Sequence, residues 1–118
     1  MCKWMIEKIS NIKNFQKKID LIAKVIDKTN IREVISKLDE TRHKVCEILI
    51  GDETGTIYLT LWDEAINRVE LGKTYLFKNL FSSEFQKSLR LNIGRFGEFE
   101  EVSKSIEVDL NNFKSSNQ

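Results

Sequence analysis

The chain has 118 residues, of which 41% are hydrophobic and 31% charged, and its net charge is +1. That suits one domain with one core, and no apolar run approaches the ~20 residues of a membrane-spanning helix. Charges inside "MCKWMIEKIS" exclude a secretory signal, and the spacing of Cys2 and Cys46 excludes CxxC and zinc-ligand motifs, so both are expected as free thiols in a reducing compartment.

Residues 1–18 place Trp4, Ile6, Ile9, Ile12 and Phe15 at roughly helical spacing, which predicts a short helix or an irregular arm. "IDLIAKVID" (19–27) is rich in β-branched residues and reads as a strand. "KTNIREVISKLDETRH" (28–43) is compatible with a strand running into a polar loop or with a helical turn. "KVCEILI" (44–50) is a strand with Cys46, Ile48 and Ile50 on one face. "GDETG" is a tight turn in which Asp52 acts as a backbone acceptor rather than a catalytic group. "TIYLTLW" (56–62) alternates strictly, with Ile57, Leu59 and Leu61 inward and Tyr58, Thr60 and Trp62 outward.

"DEAINRVELGK" (63–73) breaks the alternation. Asp63 is expected to cap a helical turn that Gly72 ends. "TYLFKNLF" (74–81) and "SLRLNIG" (88–94) are two more strands, with "SSEFQK" as the loop between them. Leu89, Leu91 and Ile93 should face inward, and Ser88, Arg90 and Asn92 outward. The last ten or so residues are expected to be disordered. Five short strands with a helix between the third and fourth is the order of a five-stranded OB-fold barrel, an all-β fold. The expected division is an N-terminal segment (1–18), an OB domain (19–102) and a polar C-terminal tail (103–118).

Catalysis finds no support. His43 is the only histidine, no metal-ligand spacing occurs, and no nucleophile or phosphate-loop motif is present, so no enzyme, cofactor or metal is predicted. The aromatics are the stronger lead. An OB fold binds across its second and third strands and in the 1–2 and 4–5 loops. Tyr58 and Trp62 lie on the third strand, and Phe81 and Phe85 bracket the 4–5 loop. Lys87 and Arg90 follow, while Arg32, Lys37, Arg42 and Lys44 lie in or beside the 1–2 loop. Rings that stack on bases, interleaved with cations that meet phosphates, are what single-stranded nucleic acid requires. Tyr75 and Phe77 are assigned to the ends of the core instead. Simple alternation puts Phe81 on the face of Phe77, so Phe81 reaches the binding face only if a bulge intervenes near Asn79–Leu80.

"IREV", "VCEILIGDETGTIYLTLWDEA", "LGKTYLF", "NLF" and "LRLNIGRFGEFEEV" resemble the OB-fold single-stranded-DNA-binding proteins of the archaeal single-stranded-binding and replication protein A type. The resemblance implies that Trp62 stacks on a base, that Phe81 and Phe85 are the second and third stacking rings, and that Arg32, Lys87 and Arg90 contribute charge. It departs in the 1–2 turn, where "SKLDET" replaces the usual "KDG", and in Phe81, a smaller platform than tryptophan. The implied partner is single-stranded DNA, with RNA as the alternative and replication or repair proteins as further partners. No membrane is implied, and the oligomeric state is left open. The implied location is the cytoplasm with the nucleoid, or the nucleus in a eukaryote. A competing role is that of an accessory subunit docking on a larger replication-protein-A-like partner through Trp4, Ile6, Ile9 and Ile12.

Overall fold

The structure, a computed structural model, describes residues 6–85 and 88–113, with the side chains of residues 85 and 94–96 outside that description. The elements are β1 (Ile19–Lys28), β2 (Arg32–Ile35), β3 (Arg42–Asp52), β4 (Gly55–Trp62), α1 (Ala65–Arg68), β5 (Thr74–Phe85) and β6 (Ser88–Glu101). They form one six-stranded sheet in the order β1-β5-β6-β4-β3-β2, and an added β1–β3 pairing closes it into a ring. Alternation builds the interior. Leu21, Ala23 and Val25 of β1, Cys46, Ile48 and Ile50 of β3, and Ile57, Leu59 and Leu61 of β4 are all buried. Phe77 and Tyr75 belong to this core as expected, and the backbone N–H of Glu70 donates to the Tyr75 hydroxyl at 2.8 Å.

The ambiguous segment resolves as the separate strand β2, an antiparallel partner of β3 from Arg32↔Val45 to Ile35↔Arg42. Residues 36–41 form its turn. The expected 4–5 loop is corrected: β5 continues through Ser82–Phe85 and pairs with β6 as far as Phe85↔Ser88. Serine and glutamate favour turns locally, but here an outside partner meets their polar groups. Ser82 donates its hydroxyl to the Lys13 carbonyl and accepts from Gln16 N at 2.8 Å, while Gln16 O accepts from Ser82 N at 2.9 Å. Ser88, expected outside, is likewise buried. The helix is a single turn, and Asp63 does not cap it. Its carboxylate reaches back instead to accept from Lys44 N at 2.9 Å.

The flanking segments pack on the β3–β4 hairpin. Residues 9–11 make one 3-10 turn, and Ile9 and Ile12 enter the core. The Asp52 carboxylate, 1% exposed, explains why. Its Oδ1 accepts from Thr54 N at 2.8 Å and Thr54 Oγ1 at 2.6 Å, and its Oδ2 accepts from Ile9 N at 3.0 Å. One buried anion therefore shapes the turn and anchors the arm. On the other side, Thr56 N donates to Asn112 O at 2.8 Å and Asp109 N to Asp52 O at 3.0 Å, so residues 109–113 are held and the expected disorder does not extend to them. The two hairpin glycines permit this approach. A Cβ on Gly51 would stand 2.4 Å from Val108, and one on Gly55 would stand 2.6 Å from the Asn112 carbonyl.

Asp52→Ala should lower the unfolding free energy by roughly 3 kcal/mol, because three donors to a buried anion are orphaned together. Urea denaturation measures this, and a loss below about 1 kcal/mol would contradict the anchoring role.

Candidate nucleic-acid interface

Strand register assembles an outer face from five strands. Trp62 of β4 stands opposite Val45 of β3, and Val45 opposite Arg32 of β2. One step along, Glu47, Thr60, Asn92 and Phe81 form a rung across β3, β4, β6 and β5. The next rung is Leu49, Tyr58, Arg90 and Ser83. Side chains on successive rungs share a face because the strand period is two. Trp62 is 42% exposed and Phe81 39%, which marks both as rings left open on an otherwise paired sheet.

Phe81 reaches this face through a bulge. The β5–β6 ladder shifts register between Lys78 and Leu80, and Asn79 between them has φ 60°. Leu80 then points inward, fully buried, and Phe81 outward. Asparagine is among the few side chains that adopt this left-handed conformation readily. Its N–H is turned out of the ladder and donates to Asp20 Oδ1 at 2.9 Å.

Trp62 is positioned by the residue after it. Asp63 has φ 53°, which swings the chain off β4. Its Oδ1 takes the Lys44 N–H and its Oδ2 lies 2.9 Å from His43 Nδ1. The Lys44 amide, then the His43 ring, hold the Asp63 carboxyl below its ordinary range.

The cations are arranged around Glu47. Arg32 Nη2 lies 3.5 Å from Glu47 Oε1, and Arg90 Nη1 pairs with Glu47 Oε2. The Arg90 guanidinium also lies 5.5 Å from the centre of the Tyr58 ring. Burial, then the nearby Arg32 charge, lowers the Arg90 pKa, although an arginine stays charged throughout the working range. Asn92 donates to Ser83 Oγ at 2.8 Å beside it. Phe113 meets the far edge of Tyr58 in a T-shaped contact, with ring centres 5.5 Å apart.

Of the residues singled out from sequence, Trp62, Tyr58, Phe81, Arg32 and Arg90 come together. Lys44 does not: it pairs with Glu33, one residue out of phase with the Arg32–Val45–Trp62 rung, so alternation turns it to the other side. Phe85 is the last residue of β5, paired with Ser88, and Lys87 lies outside the described residues. Glu47, Asn92 and Phe113 also belong to the face and had not been singled out as binding residues. Glu47 was legible, because Cys46 and Ile48 inward forces position 47 outward.

A closed antiparallel-rich sheet with an open aromatic and basic face on its middle strands defines the OB class of oligomer-binding domains. The chain belongs to the family described as single-stranded DNA binding protein Ssb-like, OB fold, which matches residues 12–101. It is similar to the single-stranded DNA binding protein Ssb of Saccharolobus solfataricus, with 26% identity over 100 residues, or 85% of this chain and 66% of that protein. The chain thus spans just under two thirds of that curated relative. The solution structure of hypothetical protein F20O9.120 from Arabidopsis thaliana superposes with a TM-score of 0.77 at 25% identity, covering 97% of this chain and 85% of that one. A replication protein A heterotrimer bound to single-stranded DNA shares the fold, with a TM-score of 0.71 at 19% identity over 88% of this chain and 27% of that one.

Two outcomes follow from this local geometry. Asn79→Gly should leave stability within about 1 kcal/mol, whereas Asn79→Val, β-branched in a left-handed position, should cost about 1–2 kcal/mol, as thermal unfolding would register. Asp63 is depressed in the folded state, so its stabilisation is present above the ordinary carboxylate pKa and fades as pH falls through the lowered value. The melting temperature of wild type should therefore exceed that of Asp63→Asn at pH 6, and the gap should close only in acid, below the usual carboxylate value of about 3.9. A gap independent of pH would contradict the assignment.

Proposed function

We propose that the protein binds single-stranded DNA with little sequence preference through the outer face of β3, β4, β5 and β6, serving replication, recombination or repair wherever single strands arise. The observation that carries this reading is the pair of open rings, Trp62 and Phe81, on adjacent rungs with Tyr58, Arg90 and Arg32 around them. Bases stack on rings of any neighbour, and every base has a π-face, so such a surface tolerates sequence. Family membership supports the same ligand class. Phe85 and Lys87 would extend the track at the β5–β6 turn.

The reading as a docking subunit loses two of its four contact residues. Ile9 and Ile12, which were to meet a partner, are buried in the chain's own core. Trp4 lies outside the described residues.

Titration with a ~30-nucleotide oligo-dT exceeds the site expected of one OB fold, and should quench tryptophan fluorescence, while a matched duplex should not. Trp62→Phe should remove most of the quench, which separates Trp62 from Trp4. Trp62→Ala and Phe81→Ala should each weaken binding about 5- to 100-fold, the scale of ~1–3 kcal/mol per stacked base. An oligo-U of equal length distinguishes RNA from DNA. Unchanged affinity in both alanine variants would overturn the site.

A further inference from the structure

Glu47 occupies a position that a phosphate-binding surface would leave neutral or basic. It stands opposite Thr60 at the β3 end of the rung whose other end is Phe81, diagonal to Trp62 on β4, with its side chain 16% exposed. Both arginines of the face turn toward it, Arg32 from β2 and Arg90 from β6. Guanidinium forks suit carboxylate and phosphate alike, so a carboxylate already seated there competes with any phosphate for the same donors. A phosphate entering this region meets the Glu47 charge. If it captures the arginines, it leaves a largely buried carboxylate unpaired, which is strongly unfavourable. A base meets no such penalty. It carries no charge, and it finds Trp62, Phe81 and the flat face of a guanidinium whose edge is occupied, with the Asn92 amide and Thr60 hydroxyl alongside.

We propose that Glu47 is a specificity residue of this face, which excludes phosphate from the centre of the sheet and so turns the bases inward and the backbone to the rim. The inference rests on the proposed single-strand site and names the device that orients the strand there. It makes Arg32 and Arg90 base-facing groups whose combined charge is halved by the one carboxylate, rather than free phosphate clamps.

The test compares oligo-dT with an abasic deoxyribose-phosphate chain of the same length, on wild type, Glu47→Gln and the Glu47→Gln/Arg90→Gln double variant, across a salt series. Wild type should prefer oligo-dT strongly and show a shallow salt dependence. Glu47→Gln frees the two guanidiniums. Affinity for the abasic chain should rise about 10-fold, the preference for bases should fall, and the log–log salt slope should steepen by about 0.7–1.4 for one or two phosphates gained. The double variant should lose most of that gain. The preference ratio is measured on one sample, so partial unfolding of a variant cannot imitate it. If wild type fails to bind oligo-dT, the proposed function falls and this inference with it. If wild type binds, but Glu47→Gln changes neither ratio nor slope, or weakens both strands equally, Glu47 is structural only and the function stands.

Discussion

Between Lys78 and Leu80 the ladder joining β5 to β6 breaks register, with Asn79 alone on β5 against residues 94–97 on β6, and the facing of Leu80 and Phe81 follows from it. Upstream, Tyr75 and Phe77 point into the ring. Downstream, Leu80 resumes the inward phase and Phe81 is thrown outward. Without the bulge Phe81 would lie in phase with Phe77, and the face around Trp62 would hold one open ring rather than two. The left-handed Asn79 sustains this arrangement because its displaced N–H finds the Asp20 carboxylate on β1, so the shift leaves no orphaned donor. β1 carries its own register shift beside it, between Ile19 and Leu21, and the two irregularities are accommodated together.

Legibility in the sequence tracked how far each side chain's fate was decided by its neighbours in the chain. β3 and β4 were readable because their alternation is strict and one face is wholly buried, so a slip by one residue would bury Thr60 and expose Leu59. The turn at Asp52 was readable from local chemistry. The end of β5 was not. Ser82, Ser83 and Glu84 favour turns by propensity, and only distant chain makes a strand of them: the ladder with β6, and the Lys13–Gln16 backbone on Ser82. Lys44 was misplaced for a related reason, since proximity along the chain to the 1–2 loop says nothing of strand phase. The last ten or so residues read as free because their composition is polar, and the partners that hold residues 109–113, at Asp52 and Thr56, are far away in sequence.

The β3–β4 hairpin is thus more than a connection between two strands of the face. Asp52 at its tip holds Ile9 and, through its own backbone carbonyl, Asp109. Lys8 pairs with Glu53 beside it. Chain from both sides of the ring converges on this one turn, which explains why its glycines stand where no side chain fits and why its aspartate is buried. The hairpin's outer surface is left to Tyr58, whose edge is covered by Phe113. The tail therefore bounds the aromatic row at one end, while Trp62 leaves it open at the other.

The ring closes on β4 through a parallel pairing with β6, described over Tyr58↔Arg90, Leu59↔Leu91 and Thr60↔Asn92. Parallel ladders are slightly weaker per residue than antiparallel ones, and the neighbouring β3–β4 and β5–β6 ladders are longer and antiparallel. By that measure this junction is the weakest of the three ladders. The rungs that carry Phe81, Arg90, Tyr58 and Thr60 run straight across it. In the proposed function, a single strand laid along those rungs would touch both sides of this junction at once, so occupancy of the face and integrity of the ring would become one linked equilibrium. A flat surface patch would gain affinity alone from its ligand, whereas binding at this face would be coupled to closure of the ring.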